Sequence, residues 1–169
     1  MTVEELQVLH AELWTFRAEM DANTPWKTPP EMDALRFAVT EAGEAMDPWL
    51  RTRGGYARNY EKEEYVLAEL ADCAMMLMTA LGPHHRYTER NTPERVDIER
   101  IVFLVAVALN DYMQGWSWWK ETAEVALYQI SDYLGMNLPY ELGERMARIK
   151  AKHAPYTIHA DGRLLREGE

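Results

Sequence analysis

Apolar side chains recur at three- and four-residue steps along most of this chain, the period of helices packed on one side. Val3, Leu6, His10, Leu13, Arg17 and Met20 form the first series. Thr2 with Glu5 ahead of it makes a capping-box pattern, which predicts a helix running to about Met20. Residues 22–28 read as a loop. Thr28, Pro29, Pro30 and Glu31 then signal a second start. That helix is expected to bend or end near Asp47-Pro48, because an internal proline removes one hydrogen bond and crowds the preceding turn. Gly54-Gly55 marks the connection to a third helix, from about Tyr60 to Leu81, stopped by Gly82-Pro83.

Residues 83–91 are polar. Thr92-Pro93 is read as opening a fourth helix with Ile98, Ile101, Val102, Val105 and Leu109 on its apolar stripe and Gly115 at its end. Ser117 is read as the cap of a fifth, bearing Ala123, Ala126, Leu127, Ile130 and Leu134 and closed by Gly135. Asn137 with Pro139 starts the last, which reaches about His153. No convincing strand alternation appears, so the fold class is all-α, a bundle of about five to six helices. One domain is expected over 1–155, followed by a polar tail, 156–169, that is either mobile or folded over a ligand.

Composition narrows the possible partners. A hydrophobic content of 47% over 169 residues suits one sizeable core. The net charge of −10 argues against nucleic acid or an anionic membrane as the main partner, while a phosphate substrate stays open if cations invert the local potential. Cys73, the only cysteine, lies in an apolar helical run and reads as a reduced core residue. The longest apolar run, Ile101 to Leu109, is too short for a bilayer, and no basic segment leads into an apolar one at the N-terminus. The expected location is the cytoplasm.

Two acidic signatures carry the chemistry, Glu41-Ala-Gly-Glu44 and Glu69-Leu-Ala-Asp72. At i, i+3 spacing the carboxylates of each project from one side of a helix, about 60° apart around its axis. Two such helices packed together gather four oxygen donors whose repulsion a hard cation relieves. Without His or Cys at ligand spacing, Mg²⁺ or Mn²⁺ suits them better than Zn²⁺. Ala38, Val39, Ala42, Ala45 and Met46 around the first signature, and Leu67, Leu70, Ala71 and Cys73 around the second, put these carboxylates beside the core. Glu121-Thr-Ala-Glu124 has the same spacing and is read as ordinary surface charge.

This ExxE, spacer, ExxD pattern resembles the all-α nucleoside triphosphate pyrophosphohydrolases, the superfamily of MazG, the dimeric dUTPases and the dCTP pyrophosphatases. The resemblance covers roughly Trp26 to Leu81 and, more loosely, the last helix. It implies a MazG-like four-helix core with an extra distal helix, and Glu41, Glu44, Glu69 and Asp72 as Mg²⁺ ligands. The implied reaction is attack of water on the α-phosphorus of an NTP or dNTP, giving NMP and pyrophosphate. Glu41 or Glu44 would orient or deprotonate that water. The family often carries Asn-x-x-Lys near the end of its last helix and a basic residue in the tail. Lys152 fits the lysine, Ile149 stands where the asparagine would be, and Arg163 approximates the tail position.

Lys150, Lys152 and Arg163 are spaced to reach a triphosphate from one end of the bundle, with Arg51, Arg53, Arg58 and Lys62 as the competing basic cluster. Trp26 either stacks on a nucleobase or packs against the first helix. His84, His85, His153 and His159 read as surface histidines. Trp116, Trp118 and Trp119 read as core or subunit interface, so a homodimer or higher homo-oligomer is expected. Two other functions fit the same signatures: a phosphoribosyl-ATP pyrophosphohydrolase, and a non-catalytic helical interaction protein that keeps the fold.

Overall fold

The computed structural model describes residues 1–53, 63–89, 97–135, 137–153, 156–158 and 164–166. Its helices are α1 (Val3–Asn23), α2 (Glu31–Arg53), α3 (Glu63–Leu81), α4 (Ile98–Met113), α5 (Trp119–Leu134) and α6 (Asn137–His153). Among the described residues the architecture is all-α, a bundle of six helices. No helix among the described residues is long and apolar enough to cross a membrane.

The capping box forms as its pattern predicts. Glu5 N donates to Thr2 Oγ1 at 3.1 Å and Thr2 N donates to Glu5 Oε2 at 2.8 Å, so two backbone donors at the start of α1 are satisfied reciprocally. α1 then buries Leu6, Leu9, His10, Leu13, Phe16, Arg17 and Met20 along one face. Glu31, at the start of α2, lines a surface pocket with Leu81 at the end of α3, while Glu41 lies against Glu69. These two helices therefore run antiparallel. Ala34, Ala38, Ala42 and Ala45 are all fully buried along α2, and a seam of such small side chains lets a neighbouring helix axis come close. α6 runs alongside α1 in the same direction: Pro139 shares a groove with Met1 and Glu4, and Lys150 meets Glu19 further along.

Four local expectations change. α2 does not stop at Asp47-Pro48; Pro48 sits inside the helix, which continues to Arg53. The carbonyl that Pro48 leaves without a helical donor belongs to Glu44, on the exposed side of α2, where water can replace that donor. Thr92-Pro93 lies outside the described residues, and the N-cap of α4 is Asp97, whose Oδ1 accepts from Arg100 N at 2.8 Å. Ser117 does not cap α5. The N-cap there is Trp118, without a side-chain bond, because the tight turn after Gly115 (φ +73°) leads straight into the helix. Finally, two short strands in the tail, β1 (Tyr156–Ile158) and β2 (Leu164–Arg166), pair antiparallel with Thr157 opposite Leu165.

Candidate metal centre

The alanine seam of α2 and the apolar face of α3 bring the two acidic signatures together. Carboxylate oxygens of Glu41, Glu69 and Asp72 all lie within 4.8 Å of one another. Asp72 is buried, Glu41 and Glu69 are half-buried, and Glu44 stands beside them on the exposed side of α2. Three of the four predicted ligands thus converge. The fourth acts on them through its charge.

Glu41 shows the cost of that crowding. Burial, then a hydrogen bond with Glu69, then the charges of Glu44 and Glu69 raise its carboxyl from an ordinary 4.5 to about 7, against the opposing pull of Arg145. At neutral pH this group holds a proton for a substantial part of the time. Arg145 comes from α6 and grips Asp72 with both arms of its fork, Nε donating to Oδ1 and Nη2 pairing with Oδ2. Among the described residues, one guanidinium faces four neighbouring carboxyl groups. The all-oxygen donor set and its surplus of negative charge fit a hard divalent cation.

Arg145 was not among the predicted site residues, although the sequence carried a signal for it. Leu138, Leu142, Arg145 and Ile149 follow one another at helical steps, so Arg145 interrupts the apolar stripe that faces the bundle. The predicted lysines are placed differently from one another. Lys150 bonds Glu19 of α1 at 2.5 Å, an exposed ion pair on the rim of a groove of about 520 Å³ between α1 and α6. Lys152 lies seven residues beyond Arg145, two turns along, and so returns to the same side of α6. Arg163, His159, Arg58 and Lys62 lie outside the described residues.

Trp26 takes the second of its two readings. Its ring packs 5.8 Å from Phe16 and lies under the Arg17 guanidinium at 5.0 Å, both on α1. Burial lowers the pKa of Arg17 to about 10, and its guanidinium nitrogens have no protein hydrogen-bond partner. The tryptophans after α4 divide: Trp119 is buried, 5.2 Å from Tyr112, whereas Trp116 and Trp118 are exposed and pack on each other at 5.0 Å. Cys73 is fully buried, which pushes its thiol pKa well up and leaves it inert.

Glu124 overturns the reading of Glu121-Thr-Ala-Glu124 as surface charge. Only 3% exposed, it accepts from Thr88 N at 2.8 Å and Thr88 Oγ1 at 2.7 Å, and its other oxygen meets His85 Nε2 at 3.2 Å. It ties the segment after α3 to α5. On the α1 side of that segment, His10 Nε2 lies 2.9 Å from the Gly82 carbonyl, which can only accept, so this nitrogen carries the proton. His10 Nδ1 then accepts from the Tyr87 hydroxyl at 2.6 Å. Burial is the main reason that the His10 pKa falls to about 4, and the charge of His85 adds to it.

Comparison with known proteins returns no matching family model, curated protein or solved structure.

Proposed function

We propose that this protein is a Mg²⁺-dependent nucleoside triphosphate pyrophosphohydrolase that cleaves between the α and β phosphates to give a nucleoside monophosphate and pyrophosphate. The observation that carries the reading is the convergence of Glu41, Glu69 and Asp72 from two helices, with Glu44 alongside. Glu41, Glu44, Glu69 and Asp72 would hold Mg²⁺, or Mn²⁺ in its place. When bound, the ion supplies charge neutralisation for phosphate oxygens and acidifies water.

The side chains of the chain itself supply the rest. Glu41 or Glu44 would orient or deprotonate the attacking water. Glu69 hydrogen-bonds Glu41 and fixes its position. Among the described residues, Arg145, beside the carboxylates, and Lys152, further along the same side of α6, are positive charges available to a polyphosphate. The protein is proposed to work in the cytoplasm, as a homodimer or larger homo-oligomer, on a nucleotide and not on nucleic acid.

A panel of ribo- and deoxynucleoside triphosphates with Mg²⁺, scored separately for pyrophosphate and orthophosphate, tests the reading. Pyrophosphate from at least one of them, lost on adding EDTA, is the expected result. Orthophosphate alone, or no product from any, would remove it.

A further inference from the structure

Asp72 presents a conflict between two partners. Of the three converging carboxylates it is the most deeply placed, its side chain only 8% exposed, and both of its oxygens are engaged by Arg145. A buried carboxylate needs a counter-charge, and a two-pronged guanidinium is among the strongest available. A metal ligand, however, needs a free oxygen lone pair and tolerates a nearby positive charge poorly. The oxygens keep lone pairs beyond those that Arg145 engages, so the conflict is one of charge: each cation weakens the other's hold on Asp72.

We propose that Arg145 is a built-in counter-cation that competes with the divalent ion for Asp72, so that metal enters the centre only as the guanidinium gives way. This rests on the metal-binding reading of the carboxylates and adds a role for a residue on a third helix. The geometry allows the exchange. The side chain of Arg145 is 31% exposed, so one flank already borders solvent, and it can withdraw from Asp72 without leaving a cation stranded in the core. α2 and α3 supply the carboxylates while α6 supplies the cation, so metal affinity is coupled to how α6 is seated. The exchange has a further consequence: a guanidinium released from Asp72 is left next to the centre, where a phosphate can engage it. Arg145 is on this account a positioning residue. It lowers the affinity of the free protein for metal while protecting the metal-free fold from an unbalanced cluster.

The test is calorimetric titration of substrate-free protein with Mn²⁺ and Mg²⁺, comparing the unaltered chain with Arg145→Met and Arg145→Lys. Arg145→Met is expected to bind metal about tenfold tighter or more, as the loss of a competing charge-assisted pair requires, with Arg145→Lys in between because a lysine holds one oxygen at a time. A merely structural arginine would give the opposite sign, since loosening α6 weakens the centre. Equal or weaker binding in Arg145→Met, with the unaltered protein binding normally, would overturn the competition and leave the metal centre standing. If neither protein binds metal, the metal reading itself falls and this inference with it. Should Arg145→Met fail to fold, Arg145→Lys decides by the same criterion, tighter binding than the unaltered protein supporting the proposal and equal or weaker binding overturning it.

Discussion

The four carboxyl residues of the candidate centre do not respond alike to losing their charge: among the described residues Asp72 has an arginine partner, while Glu41 is crowded by acidic neighbours. Glu41→Gln removes a carboxyl whose charge burial and its acidic neighbours disfavour, so the metal-free protein should be as stable as before or more so. Asp72→Asn removes the carboxylate that pairs with Arg145 and should cost about 1–3 kcal/mol in denaturant titration of the metal-free protein. Both should lower turnover by orders of magnitude, checked by pyrophosphate release under saturating Mg²⁺. Glu121→Gln, on the exposed side of α5, should leave turnover intact. Glu124→Gln cannot serve as a second control: it weakens the acceptor for Thr88 and His85, and a loss of about 1–3 kcal/mol is expected instead.

His10 gives a pH signature of its own. Its pKa is about 4 when folded against an ordinary 6.5, so below pH 6.5 the unfolded chain takes up a proton that the folded one refuses. The stability associated with neutral His10 is therefore complete above about 6.5 and declines as pH falls toward 4. His10→Gln should flatten that part of the stability profile, measured by urea unfolding at intervals between these limits.

At the scale of elements, the seating of α6 decides which of its own basic residues share the side of the carboxylates. Its apolar stripe Leu138, Leu142 and Ile149 turns Arg145 inward and, two turns beyond it, aims Lys152 along the same side, whereas Lys150 points toward α1. Lys152→Ala should therefore raise KM with kcat little changed, while Lys150→Ala should leave both nearly as they were, because an exposed ion pair such as Lys150–Glu19 contributes little. Steady-state kinetics on the two variants separates these outcomes. α2 shows the complementary effect, a helix carried past Pro48, which is itself buried.

Across the whole molecule, α4 carries large apolar side chains on its exposed face as well as on its buried one. Ile98, Ile101, Val105 and Ala108 are buried on one face, yet Phe103, Ala106, Asn110 and Met113 follow at four- and three-residue steps on the opposite, exposed face, with Phe103 66% and Met113 63% accessible. A helix apolar on nearly every side is ordinarily covered on every side. A dimer is predicted in sedimentation at micromolar concentration, and Phe103→Glu should shift it toward monomer.

The period of the apolar residues sufficed for six helices, because helix burial is written locally in three- and four-residue steps, and the capping box of Thr2 and Glu5 was equally legible. The spacing within Glu41–Glu44 and Glu69–Asp72 likewise placed each pair on one side of its helix. What spacing could not supply was the identity of neighbours from distant parts of the chain. That Arg145 closes on Asp72 across 73 residues, that Glu124 is sealed under Thr88 while Glu121 at the same spacing stays in water, and that Trp26 lies on Arg17 all depend on how helix axes cross. An isolated helix fixes the direction of a side chain about its own axis; only packing fixes what lies opposite, and the charge balance of this centre is set by what lies opposite.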